Sequence, residues 1–168
     1  MLGKKPRESG FSLIEVMIVA AIIGLMAALI VPAYIQWIAR YELRQGIVEI
    51  ASTLTMARMS ARNRNIAVVS TLTLTGSTVT MTTTNAAGTV QVFPTITFPR
   101  TITDVRDAAT LDTAPIPPPV TIAFTPLGLQ GPTTSPLPVR IKNNAGLAYS
   151  VVVTPAGKVN WCTKVTCP

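Results

Sequence analysis

Gly10-Phe11-Ser12-Leu13-Ile14-Glu15 opens a run, Phe11 to Ala33, in which every residue except Ser12 and Glu15 is apolar or small. Those 23 residues make about 34 Å of helix at about 1.5 Å per residue, enough for a bilayer core of about 30 Å. Lys4, Lys5, Arg7 and Glu8 give the preceding flank a net +2, whereas Arg40 and Arg44 balance Glu42 and Glu49 after it. That asymmetry predicts a single span with the N-terminus in the cytoplasm and the remainder outside. A carboxylate within an apolar span costs up to a few kcal/mol, less near the interface, so Glu15 calls for a partner.

Three readings compete for this segment. A secretory signal would be cleaved after a small-x-small site such as Val31-Pro32-Ala33, yet the run exceeds the usual length of about 7–15 residues and carries an acid. A plain single-pass anchor explains the length and leaves Glu15 without a reason. The third reading uses both features. Gly10-Phe11-Ser12-Leu13-Ile14-Glu15-Val16 resembles the class III signal of type IV prepilins and pseudopilins. The resemblance implies cleavage by a prepilin peptidase between Gly10 and Phe11, and N-methylation of Phe11. It also implies that Glu15 pairs with a neighbouring subunit's terminal ammonium, which offsets the cost of each charge in lipid. Gly24 and Pro32 fall where many pilins weaken the helix, so a kink or local melting is expected over residues 24–32.

Beyond Pro32 the pattern turns amphipathic. Ile47, Ile50, Leu54, Ala57 and Ala61 step by three and four along one helical face. Arg40, Arg44, Arg58 and Arg62 flank that seam as a band, read first as a solvated or salt-bridged face. Gly46 weakens the helix locally. The helix is expected to end at Asn63-Arg64-Asn65, before the β-rich Ile66-Ala67-Val68-Val69.

From Ile66 the composition shifts to Thr, Val, Ile and Pro. Thr71 to Met81 alternates around a Gly76-Ser77 turn, as in a hairpin. Further strands are expected at Val90–Phe93, Pro94–Phe98, Val120–Phe124, Val139–Lys142, Ala148–Val153 and Lys158–Trp161. Turns are expected at Asn143-Asn144-Ala145-Gly146 and Pro155-Ala156-Gly157. The stretch holding Asp104, Asp107 and Asp112 reads as loop, as do the proline-rich residues from Asp112 to Pro119 and from Gly128 to Pro138. The fold class is therefore α+β: a long N-terminal α-helix, transmembrane in its first half, packed against a C-terminal antiparallel β-sheet head. The expected divisions are a leader at 1–10, the membrane or filament-core helix at 11–33, its amphipathic continuation at 34–65, and the head at 66–168.

Three stretches resemble the GspH/FimT family of minor pilins and pseudopilins. They are Ala57-Arg58-Met59-Ser60-Ala61-Arg62-Asn63-Arg64-Asn65, Ile122-Ala123-Phe124-Thr125-Pro126-Leu127-Gly128, and Val151-Val152-Val153-Thr154-Pro155-Ala156-Gly157-Lys158-Val159. In some FimT-like subunits a glycine-arginine motif near the closing hairpin contacts DNA during uptake. This chain has Gly157-Lys158-Val159-Asn160 there, so only one of those positions is basic. Lys158, Lys164, Arg62 and Arg64 are the residues a DNA contact would use, with Trp161 as an aromatic neighbour. Packing of the last strand is the competing role for Trp161.

Composition excludes most chemistry. There is no histidine among the 168 residues, which removes the commonest general base and metal ligand, and only seven carboxylates are present. Loss of the leader would leave eleven bases against six acids, a mild surplus of +5. Cys162 and Cys167 make a poor zinc site; in an exported protein they read as a disulfide, in a reducing compartment as two thiols. The outward topology favours the disulfide. The expectation is a structural subunit without catalytic residues, metal or cofactor, held in the bacterial inner membrane with a periplasmic head before assembly into a type IV pilus or a type II secretion pseudopilus. Its partners would be the prepilin peptidase, other pilins or pseudopilins, and the membrane, with DNA binding as the rival function.

Overall fold

Helix α1 spans Leu13–Arg64, 52 residues, in a computed structural model that describes residues 11–76, 78–98, 102–107, 119–131 and 135–163. The Ser12 carbonyl accepts the N–H groups of Glu15 (3.0 Å) and Val16 (3.3 Å), so Ser12 caps the start and Glu15 falls in the first turn. A carboxylate there also meets the partial positive charge of the helix N-terminus. At the other end Asn65 turns left-handed (φ 52°). Ile66 N–H then reaches the Ala61 carbonyl at 3.1 Å and Asn65 N–H reaches that of Arg62 at 3.3 Å, a Schellman ending at the expected place. The helix stays unbroken through Gly24 and Pro32, so the local melting expected there is absent.

The chain divides into two compact units, Met1–Trp37 and Ile38–Pro168. In the first, every described residue is exposed, and Glu15 is the lone charge from Phe11 to Trp37. In the second, α1 changes character. Ile47, Ile50, Leu54, Ala57 and Ala61 are all fully buried, as the seam requires.

Among the described residues nine strands follow: β1 Val68–Thr75, β2 Thr78–Asn85, β3 Gln91–Thr97, β4 Ile102–Asp107, β5 Val120–Phe124, β6 Gln130–Gly131, β7 Leu137–Asn143, β8 Ala148–Val153 and β9 Val159–Cys162. They form two antiparallel sheets rather than one: a five-stranded sheet ordered β3-β2-β1-β5-β6 and a four-stranded sheet ordered β4-β7-β8-β9. Val68, Leu72, Val79, Met81, Ile122 and Phe124 of the first join Ile102, Val105, Val139, Ile141, Val151 and Val153 of the second in one core with the α1 seam. Gly46 has a packing reason: a Cβ there would stand 2.6 Å from Ile102 Cδ1. Buried Asn143 also ties β7 to the helix, donating from Nδ2 to the Ala39 carbonyl at 3.1 Å.

Several sequence expectations need correction. Asp104 and Asp107 lie in strand β4, not in a loop. A bulge between Ile102 and Asp104 breaks the two-residue alternation that would have revealed it. Asp104 is used structurally, in an ion pair with Arg106 at 2.9 Å. The two strands expected on either side of Pro94 are one, β3. It is an edge strand, where proline is tolerated, and its register with β2 shifts between Met81 and Thr83. The loop expected from Gly128 to Pro138 contains β6 and the start of β7. The leader at 1–10 and residues 111–118 lie outside the described residues, as do Lys164 and Cys167.

Leu54 sits at the centre of this core, so Leu54→Ala should cost about 2–5 kcal/mol. Gln45→Ala, on the exposed face of α1, should stay within about 0.5 kcal/mol. Denaturant unfolding of the full chain measures both, and equal costs would contradict the burial of the seam.

Candidate functional site

Two turns with the same sequence form, Thr125-Pro126-Leu127-Gly128 and Thr154-Pro155-Ala156-Gly157, meet at the end of α1. Each is closed identically. The glycine N–H donates to the threonine carbonyl at 2.7 Å, and the threonine N–H donates to the carbonyl of Leu129 or Lys158 at 2.9 Å. The threonine hydroxyl then accepts the N–H of Leu129 (3.2 Å) or Lys158 (3.1 Å). Proline presets φ at the second position, and glycine takes the left-handed conformation at the fourth (φ 74° and 76°).

Arg58 joins the two turns. Its Nε donates to the Gly128 carbonyl and its Nη2 to the Ala156 carbonyl, both at 2.9 Å. The first turn links β5 to β6 in the five-stranded sheet, and the second links β8 to β9 in the four-stranded sheet. A backbone bond from Gln130 N–H to the Pro155 carbonyl (3.1 Å) completes the joint. Hydrogen bonds from a charged donor contribute about 1.5–3 kcal/mol each. Close approach explains the glycines. A Cβ on Gly157 would overlap the Gly128 carbonyl oxygen and stand 2.8 Å from Arg58 Nε, and one on Gly128 would stand 2.6 Å from Arg62 Cδ.

The basic residues singled out in the sequence therefore separate by role. Arg58 is half-buried and spent on carbonyl oxygens, whereas Arg40 and Arg44 remain exposed as a solvated face should. Arg62 lays its stem under Gly128 and is exposed as a residue. Lys158, next to Gly157, is exposed as well, so the joint brings Arg62 and Lys158 to the same end of the head. Arg64 is exposed at the last turn of α1. Trp161 is 38% exposed on edge strand β9. Cys162 ends β9 and is disulfide-bonded. Sequence reasoning missed the role of Arg58. The signal that could have found it is the twice-used Thr-Pro-x-Gly, which marks two equivalent turns in need of a common anchor.

In the first unit, Phe11, Glu15, Val16 and Val19 line one shallow groove on α1. The helix is long and apolar enough to cross a membrane. Among the described residues, no three His, Cys, Asp or Glu side chains gather as a metal site would require.

A long apolar helix whose second half packs on antiparallel sheets, begun by an acid-bearing hydrophobic segment, defines a type IV pilin-like subunit. Residues 5–31 match the prokaryotic N-terminal methylation motif, which with the apolar helix fits a membrane-anchored pilin. Residues 47–157 match the type II transport protein GspH family, and the chain belongs to that family. It is a minor pilin or pseudopilin in kind. Its fold is similar to that of the type IV minor pilin FimU of Pseudomonas aeruginosa strain PAO1. One crystal form matches with TM-score 0.54 and 19% identity, over 77% of this chain and 94% of that one. A second gives 0.52 and 17%, over 75% and 97%. The type IV major fimbrial protein FimA of Dichelobacter nodosus is 51% identical over 43 residues, 26% of this chain. The chain spans only about a quarter of that relative's length, 27%.

The joint makes a sharp comparison between glycines. Gly146 is equally left-handed (φ 78°) but has open space around it, so Gly146→Ala should cost about 1–2 kcal/mol. Gly157→Ala adds a backbone overlap and should cost clearly more, with Arg58→Ala also destabilising. Thermal unfolding of the three variants checks this; equal losses at 146 and 157 would contradict the contact.

Proposed function

We propose that this chain is cut by a prepilin peptidase between Gly10 and Phe11, N-methylated on Phe11, and built into a filament through α1. The observation that carries the proposal is the lone carboxylate between Phe11 and Trp37. Glu15 stands on a helix that is apolar and exposed on all sides from Phe11 to Trp37. Such a surface needs lipid or other apolar helices around it, and there a single acid is costly unless a cation pairs with it. The terminal ammonium of a neighbouring subunit's Phe11 is such a cation. Before assembly the same segment would sit in the inner membrane, N-terminus in the cytoplasm and head in the periplasm. That compartment suits a disulfide between Cys162 and Cys167, worth about 2 kcal/mol in the chain-entropy treatment for so short a loop. Family membership supports a structural role, and a filament subunit needs no catalytic residue, metal or cofactor.

Mass spectrometry of the mature protein should find N-methyl-Phe11 as its first residue. Glu15→Ala should leave processing largely intact and lower recovery in sheared filaments severalfold. A mature protein starting at Tyr34 would mean cleavage as a secretory signal, and normal incorporation of the variant would remove the pairing.

A second reading, DNA binding during uptake, draws on one observation: Arg62 and Lys158 converge at the joined turns. Arg64 would add to that charge, with Trp161 available for stacking; Lys164 lies outside the described residues. Band-shift assays on the full chain in detergent should then show binding that weakens steeply with salt and is lost in Arg62→Ala/Lys158→Ala. Binding that ignores salt or survives the double change would leave the structural role alone.

A further inference from the structure

The outward face of the five-stranded sheet is an ordered array of threonines. Register aligns Thr97, Thr80 and Thr73 across β3, β2 and β1, and Thr82, Thr71 and Thr121 across β2, β1 and β5. Thr84 lies beside Val69, and Thr75 faces Thr78. Their alternating neighbours Leu72, Val79, Met81 and Ile122 are buried in the core, so the threonines point away from it. Spacing is set by the sheet, about 4.8 Å between strands and about 6.7 Å along each. Thr73 and Thr80 share a hydrogen bond at 2.9 Å.

Among the described residues, the five strands of this sheet carry no charged side chain. From Ile66 to Phe98, 33 residues, there is no Asp, Glu, Lys or Arg, in a chain with net charge +7. An ordinary solvated face intersperses both signs. Absence of cations rules out phosphate binding as the driving force, and absence of basic and aromatic residues is wrong for a membrane surface. A protein interface of standard strength needs aromatic, Met or Arg anchors, which these rows lack. What the rows do offer is a hydroxyl on each threonine, able to donate one hydrogen bond and accept two, beside a methyl group. β-Branching holds each side chain in few rotamers, so little freedom is lost when it is fixed.

We infer that this face is a docking surface for neutral polysaccharide. A sugar chain presents the complementary chemistry: uncharged, dense in hydroxyls, with C–H patches for the threonine methyls. The site goes beyond filament assembly and is separate from the Arg58 joint.

The test uses the full chain in a detergent without a sugar headgroup, mixed with microcrystalline cellulose, chitin or granular starch at low and high salt. At least one solid should retain the protein, equally at both salt concentrations. Thr71→Val/Thr82→Val keeps shape and strand preference but removes two hydroxyls, and should bind about tenfold more weakly, as the loss of two ordinary hydrogen bonds implies. Thr71→Ser/Thr82→Ser keeps the hydroxyls and should bind better than the valine pair, and Arg62→Ala/Lys158→Ala should bind as the parent does. Retention by none of the solids, retention that salt removes, or a valine pair that binds like the parent would overturn the proposal. So would self-association that the valine pair abolishes, which would give the face to a second copy of the chain.

Discussion

Two sheets share one helical face, and the head depends on that sharing. The seam from Ile47 to Ala61 is fully buried, with strands of both sheets against it. Each large aliphatic side chain removed from water contributes about 1.5–3 kcal/mol. Alanine at positions 57 and 61 and glycine at 46 contribute little area, but they let backbone and side chains of the strands come close; Ile102 fills the space Gly46 leaves. Neither sheet contains a complete core of its own, so the helix supplies the common wall. Arg58 serves the same end with polar atoms. Its position one residue past the buried Ala57 lets the stem leave the seam while the guanidinium reaches a turn from each sheet.

Most of this organisation was legible where a local rule acts alone. The seam followed from its 3.6-residue period, and the end of α1 followed from Asn65, which tolerates the left-handed backbone that closes a helix. Strand β8, from Ala148 to Val153, was read with its observed limits because turn residues bracket it on both sides. Legibility failed where pairing with a distant strand decides the outcome. A bulge hid β4, since Ile102 and Val105 are both buried at a spacing that no regular strand shows. Pro94 reads as a boundary because proline breaks a ladder, but the rule weakens at an edge strand. The division into two sheets has no local signature at all. It depends on β4 pairing with β7 and β5 with β1, choices made by tertiary packing.

The site was legible in halves. Glu15 stood out because an acid in an apolar run is expensive, a cost visible in one dimension. Arg58 did not, because its partners are carbonyl oxygens 70 and 98 positions away, and a backbone acceptor leaves no mark on side-chain identity. The mark it does leave is indirect: glycines at 128 and 157 whose absent side chains make room for the arginine and for each other. The sequence stretches shared with the GspH/FimT group are thus a structural joint first, and any ligand contact made by Arg62 and Lys158 is added to it.

Charge is partitioned along this chain, and the partition separates its surfaces chemically. One acid serves the 27 residues from Phe11 to Trp37, none of either sign serves the 33 from Ile66 to Phe98, and the cations Arg58, Arg62 and Lys158 gather at the joint. A solvent-facing sheet gains solubility and protection from edge-to-edge pairing by carrying lysine or glutamate, and β3 at the sheet edge carries neither. Pro94 is the edge's remaining guard, since it withholds a donor. Threonine satisfies strand geometry and hydration without charge, which explains a soluble face but not the strictness of its neutrality. Neutrality along three consecutive strands is what a face would need if charge on it interfered with an uncharged partner. The cationic end and the neutral threonine face of the head thus differ sharply in charge, on one scaffold that Arg58 joins.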